Sequence, residues 1–205
     1  MRSVSDFRQD CLVLLGDETG RRFSDSILDM GLREALDQYR TYCPRKETIR
    51  QKILGCEGGG MMVLPGFLDP GVEILTVRDE NGNWLSFSEY RNEKNVYIQL
   101  PFSSDLPAVG SVLELELSCP HTIKGLDEGK VTTVPDGHGL ILCTGAAGYA
   151  MRMRARSVTE VFGKRPEDRE ALSSQANRLI GDFTKALAGI QPSVPDPLPR
   201  GNFPI

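Results

Sequence analysis

The chain has little with which to do catalytic or metal chemistry. Among its 205 residues there are two histidines and one tryptophan, and its five cysteines never stand in a CxxC pair. A zinc knuckle needs two ligand pairs at short spacing, and His121 and His138 with scattered cysteines do not supply them. The positions Cys11, Cys43, Cys56, Cys119 and Cys143 form no disulfide framework and match a reducing compartment. An excess of basic residues is also missing: 24 Lys and Arg stand against 28 Asp and Glu, for a net charge of −4. No overall field draws the protein to nucleic acid or to an anionic membrane, so any DNA contact would be local. No apolar run approaches the roughly 18 residues of a membrane span. The opening "MRSVSDFRQD" lacks the apolar stretch of a signal peptide, so synthesis in the cytoplasm without export is expected. There is no internal repeat.

What is present divides into three textures. The first is helical. "SVSDFRQDCLVLLGD" offers Ser3 or Ser5 as a cap and puts Phe7, Cys11, Leu14 and Leu15 on one face, with Gly16 as the stop. "FSDSILDMGLREALDQYRTY" offers Ser24 as N-cap and Asp25 in the first turn. Its apolar stripe is Ile27, Leu28, Leu32, Ala35, Leu36 and Tyr39, and Pro44 ends it. From Pro44 to about His121 the period shortens to two. The stretches "VEILTVR", "WLSFS", "VYIQL" and "SVLELELS" are separated by turns such as "EGGG", "DENGN" and "EYRNEKN", which predicts antiparallel strands.

Helical texture returns after "TTVPDG". No proline interrupts residues 136 to 162, and Pro166 stands where the first turn of a further helix tolerates it. In that last helix Leu172, Ala176, Leu179, Phe183, Leu187 and Ile190 make one stripe, which requires a packing partner. The end, "QPSVPDPLPRGNFPI", holds five prolines in fifteen residues and is expected to be an extended, polyproline-like arm.

One motif invites a catalytic reading. "LILCTGAAG" resembles a strand running into a phosphate-binding turn at Thr144 to Gly148, which would make the chain an NAD(P)-dependent oxidoreductase. A dinucleotide fold, however, needs a second parallel strand with an acidic end about 20 residues on. The sequence after Gly148 is helical instead. Taken as one helix, residues 136 to 162 hold Gly139, Gly145 and Gly148 in the interior at roughly 1 kcal/mol each relative to alanine. Close approach of another backbone to Gly145, Ala147 and Gly148 would offset that cost. These three residues, with Arg152 and Arg156 one turn apart further along, are the candidate helix-packing or oligomer interface.

Other features have plainer roles. "MRMRAR" is a candidate phosphate stripe, but Arg156 stands four before Glu160 and the acidic chain offers no supporting basic patch. "CPH" supplies two metal donors without a second pair, and "GDETG" lacks the alternating oxygens of a calcium loop and is expected to be a polar interhelical turn. No Ser, His and Asp constellation has context, so no catalytic, cofactor or metal residue is assigned and no enzyme is expected. A binding-module reading would use Trp84 and Tyr90 as a platform for glycans.

Two stretches carry a family resemblance: "FSDSILDMGLREALDQY" and "HTIKGLDEGKVTTVPDGHGLILCTGAAGYAMRMRA", in which a Gly-Leu-Asp turn leads through "TTVP" into a small-residue helix. In these the chain resembles the head-to-tail adaptor (connector) proteins of tailed bacteriophages, over roughly residues 3 to 42 and 121 to 190. The resemblance implies a small bundle of about four helices with an insertion between the second and third. It implies a homo-oligomeric ring, usually twelvefold, in the neck of the virion at the portal vertex, bound to the portal protein on one side and to stopper or tail-completion proteins on the other. DNA would pass through without sequence-specific binding, and neither membrane nor cofactor is involved. It also implies a C-terminal extension laid on the portal, for which Val194, Leu198, Arg200, Phe203 and Ile205 are the candidate contacts. A different neck or tail-completion protein is the alternative within the same class.

The expected fold is therefore α+β. Residues 1 to 43 and 122 to 190 make the helical bundle, 44 to 121 an antiparallel β insertion, and 191 to 205 the extended arm.

Overall fold

The structure, a computed structural model, describes residues 2–53, 56–57, 61–64, 71–91, 96–100, 107–160 and 166–190. The fold class is α+β, with four α-helices and antiparallel sheets among the described residues. These residues form two compact units. One runs to Pro44 and resumes at Pro120; the other is Arg45–Cys119.

In the first unit, α1 spans Val4–Leu14, α2 Asp25–Tyr42, α3 Gly139–Glu160 and α4 Pro166–Ile190. Helix α1 begins at Ser3, where the Asp6 carboxylate accepts the Ser3 N–H at 2.7 Å and the Ser3 hydroxyl at 2.8 Å. These backbone and side-chain bonds lower the Asp6 pKa from its ordinary value. After α1 the chain reverses at Gly16, whose φ of +60° is a region that glycine enters without steric cost. Asp17, buried in the following loop, accepts the backbone N–H groups of Arg21, Arg22 and Phe23 at 3.2, 2.7 and 2.9 Å. The "GDETG" turn is thus organised around one carboxylate that orders the approach to α2. Helix α2 follows its N-cap Ser24 and ends before Pro44. Arg8 ties α1 to α2 by placing its guanidinium on both carboxylate oxygens of Asp29, at 2.8 and 2.7 Å, and on Asp25 at 2.6 Å.

Helix α3 is the centre of this unit. Residues 142 and 143 and the whole run 145–151 are buried, on every side of the helix. A helix covered all round must be enclosed, and α3 packs on α1, α2 and α4. Its first residue is Gly139, because Asp136–His138 forms a 3-10 turn. The expected start at residue 136 is corrected accordingly: Gly139 opens the helix, where it costs less than in the interior. Phe7, Phe23, Leu28, Leu32, Tyr39, Leu142, Phe183 and Leu187 are each no more than 1% exposed, and burial of each such side chain contributes about 1.5 to 3 kcal/mol before entropy.

The second unit holds two four-stranded antiparallel sheets. The first comprises β1 Arg45–Lys52, β4 Glu73–Arg78, β5 Trp84–Leu85 and β8 Val112–Cys119, in the order β1-β8-β4-β5. The second comprises β2 Cys56–Glu57, β3 Met61–Leu64, β6 Ser88–Arg91 and β7 Val96–Gln99, in the order β2-β3-β7-β6. Strand β8 shows why the sheet forms here: Leu113, Leu115 and Leu117 point to the core while Glu114 and Glu116 point away. Ile74, Val77 and Ile98 are among the other members of that core. One expectation changes, and one strand is added. "WLSFS" is not one strand, since Trp84–Leu85 pairs with β4 whereas β6 starts at Ser88 in the other sheet. Arg45–Lys52, too charged to stand out as apolar alternation, is a full edge strand paired along β8.

Candidate functional site

Thr144 to Gly148 lies inside α3, five residues beyond its start. Backbone N–H groups there are spent on the helix ladder, and the Thr144 hydroxyl donates to the Leu140 carbonyl at 2.9 Å. A phosphate cradle requires N–H groups free to converge on an anion; this segment has none to offer. The turn required by the oxidoreductase alternative is therefore absent.

The small residues do allow close approach, and the structure identifies the neighbour. A Cβ on Gly145 would stand 2.6 Å from the Phe183 ring, and one on Gly148 would stand 2.8 Å from Ile180 Cγ1 and 3.1 Å from the Ile180 backbone nitrogen. Ala147 is fully buried beside them. This face of α3 is filled by α4 of the same chain. Arg152 and Arg156 point elsewhere: the Arg152 guanidinium lies 4.8 Å from the centre of the Tyr149 ring, and Arg156 is exposed. Arg154 stacks on Phe23 at 5.1 Å.

The opposite side of α3 carries a contact that the apolar stripe of α2 did not reveal. A Cβ on Gly31 would fall inside the van der Waals envelope of the Ala146 carbonyl oxygen and 3.2 Å from the Ala150 backbone nitrogen. Gly31 occupies the same helical face as Leu28, Leu32 and Ala35, and that spacing, with the roughly 1 kcal/mol cost of an interior glycine, is the signal that would have identified it. A second contact joins α2 to the Gly-Leu-Asp turn. Arg33 donates from Nε and Nη2 to the Asp127 carboxylate at 2.6 to 3.0 Å, and this pair lowers the Asp127 pKa. The turn itself needs left-handed backbone at Gly125, Asp127 and Glu128, with φ of +87°, +48° and +62°. It is closed by the Gly125 N–H on the Gly129 carbonyl at 2.8 Å.

The remaining candidates are structural. His138 shares a 2.5 Å hydrogen bond between Nδ1 and the Tyr39 hydroxyl, and the His121 ring packs edge-on to Tyr39 at 4.9 Å. His121 spends Nε2 on the Cys43 carbonyl at 2.7 Å and Nδ1 on Thr133 at 3.2 Å, so neither nitrogen is open to a metal. Burial raises the Tyr39 pKa well above its usual range, which keeps the phenol protonated. Cys11 and Cys143 are fully buried thiols that donate weakly to the Cys143 and Phe7 carbonyls. The neighbouring Cys143 and burial both raise the Cys11 pKa, leaving an inert thiol. Among the described residues no cluster of His, Cys, Asp and Glu is arranged to hold a metal ion, and no helix is long and apolar enough to cross a membrane. Trp84 and Tyr90 are half exposed, but Arg78 already lies 3.9 Å from the centre of the Trp84 ring. Val194, Leu198, Arg200, Phe203 and Ile205 lie outside the described residues.

No protein-family model matches the chain, and no curated protein matches it. Among solved structures it is similar to a chain from the neck of an empty GTA particle computed with C6 symmetry. The two share 16% identity over 84% of this chain and 87% of that one, at a TM-score of 0.28.

Proposed function

We propose that the chain is a non-enzymatic structural protein of the neck of a phage-like particle, a head-to-tail adaptor that forms a ring between portal and tail. The observation that carries this reading is the meeting of the two stretches in which the adaptor resemblance resides. They are far apart in sequence, yet Gly31 seats α2 on Ala146 and Ala150 of α3, while Arg33 of the same helix clamps Asp127 of the Gly-Leu-Asp turn. The resembling stretches thus meet within one helical unit, where they join α2 to α3 and to the turn that precedes α3. A ring protomer needs such a rigid body, because small rotations between subunits accumulate around a closed ring.

With the α4 side of α3 occupied, ring contacts fall to the outer helical surface. Exposed apolar side chains there are Val13, Met30 and Leu140. Arg152 and Arg156 are polar contacts at that rim. A net charge of −4 suits a conduit along which DNA slides without being held. The proline-rich arm, residues 191 to 205, reaches the portal through Phe203 and Ile205, with Val194 and Leu198 as further apolar contacts and Arg200 at the rim. Its stiffness lowers the entropy lost on docking.

Purified chain mixed with portal and imaged by negative-stain electron microscopy is expected to show rings added to the portal, whose symmetry averaging would give the copy number, expected to be twelve. Absence of any added density, with or without tail proteins, would overturn the adaptor assignment.

A further inference from the structure

Strand β1 is the edge of its sheet, since β8 is its one neighbour among the described residues. It runs for eight residues in unbroken register from Arg45 opposite Cys119 to Lys52 opposite Val112. Edge strands are usually shortened, bulged, interrupted by proline or lined with charge to prevent further pairing. Of these devices β1 carries only the charge, which repels a like-charged strand and leaves an oppositely charged one free to pair. The direction of its free groups follows from the next residue. The Ile53 N–H donates to the Ser111 carbonyl at 2.9 Å and the Ile53 carbonyl accepts from Gly110 at 3.0 Å, so Ile53 faces the β8 side. By alternation Lys46, Thr48, Arg50 and Lys52 turn their N–H and C=O groups outward.

The same four residues share one face of the sheet, where three of the four are cations. The Lys46 and Arg50 side chains are 50% and 78% exposed. Strand β8 supplies their complement on its side: Glu116 pairs with Lys46 at 2.7 Å and Glu114 with Arg50 at 3.3 Å. An acidic strand beside this row is therefore a geometry the protein already uses. A second copy of β1 is a poor partner. In a two-fold antiparallel pairing outward residues must oppose outward residues. Every register engaging the middle of the strand then sets Lys46 against Arg50 or Lys52, or sets Glu47 or Arg50 against itself.

We infer that β1 is a docking edge for an extended acidic segment of another protein, which adds as a further strand with carboxylates at alternate positions. Main-chain hydrogen bonds to Lys46, Thr48, Arg50 and Lys52 supply the pairing, and the cationic row selects the sequence. The inference does not depend on the adaptor assignment, because it concerns only the edge of one sheet.

The test uses the full chain and a labelled, capped octapeptide of alternating threonine and glutamate, with a threonine and lysine counterpart as control. Fluorescence anisotropy at low salt is expected to show binding of the acidic peptide at least tenfold tighter than the basic one. Thr48→Pro removes an outward N–H and no bond to β8, and should weaken acidic-peptide binding at least tenfold while the circular dichroism spectrum stays unchanged. In the native chain, the peptide should slow amide exchange at the outward positions of residues 46–52. That measurement decides the matter if Thr48→Pro does not fold. Equal affinity for both peptides, no binding at millimolar concentration, or no slowing at those amides would show that the basic row only guards the edge. Sedimentation showing a dimer that Thr48→Pro abolishes would assign the edge to a second copy and overturn the inference.

Discussion

Gly31 and Gly181 are both helical glycines, and their surroundings give them opposite consequences. At Gly31 an added methyl meets backbone of α3, which cannot move without shifting a helix; at Gly181 nothing lies within 4 Å of the added atom. Gly31→Ala should therefore lower stability by about 1 to 3 kcal/mol although alanine is the better helix former. Gly181→Ala should raise it by about 0.5 to 1 kcal/mol. Urea unfolding of the two variants checks both signs, and a stabilised Gly31→Ala would refute the close approach. Charge at single residues sets the response to acid. The pKa values of Asp6, Asp17, Asp79 and Asp127 are all lowered in the folded chain. At Asp17 burial opposes the shift, but the three backbone N–H bonds outweigh it. With folded pKa values below the unfolded value of about 3.9, the unfolded chain binds more protons. Their contribution is complete above that value and disappears as pH falls through the folded values. Urea midpoints should drop below about pH 4, and Asp17→Asn should flatten that acid limb. An acid limb unchanged by the substitution would remove Asp17 from the account.

Among the elements, α3 and β1 depart furthest from simple pattern. Helix α2 could be read because one face is apolar and the other solvated, whereas α3 is enclosed by three partners and needs small residues at its tightest contacts. Gly148→Leu would force a branched side chain into Ile180 and the adjacent turn of α4. It should lower the thermal midpoint of the free protein, through an overpacking cost of about 1 to 3 kcal/mol or more. A variant that melts normally but fails only in assembly would return this face to an intersubunit role. Strand β8, buried on its leucine face and paired on both edges, should hold the slowest-exchanging amides of its sheet, with Trp84–Leu85 the fastest. Uniform exchange across the sheet would contradict the assigned pairing.

For the whole molecule, the decisive experiment is removal of the arm. A chain ending at Gln191 should keep its melting temperature, since the helical core includes α4 only to Ile190, and it should no longer bind purified portal. Unchanged portal binding would leave the arm without the proposed role. The α+β class follows from the change of hydrophobic period from 3.6 to two and back, which the residues display without any partner. Helix α4 was equally legible, from Pro166 in its first turn and a stripe through Phe183 and Leu187. The ends of α1 and α2 were announced by Ser3 or Ser5, of which the structure selects Ser3, and by Gly16, Ser24 and Pro44, because caps and breakers act through their own backbone.

What the sequence by itself determined is therefore local: which regions coil, which region extends, where α1 and α2 stop, and that one glycine-bearing helix requires something close beside it. Only the tertiary structure decided what that neighbour is. Glycines 145 and 148 permit any approaching surface, and their own chemistry does not distinguish α4 from a second subunit. It also decided that "TGAAG" is mid-helix, that Gly31 rather than a larger residue meets α3, that Arg33 reaches Asp127 across 94 positions of chain, and that Arg45–Lys52 is an edge. Each depends on segments distant in sequence arriving side by side, and a pattern that repeats every two or 3.6 residues records which face is buried without recording against what.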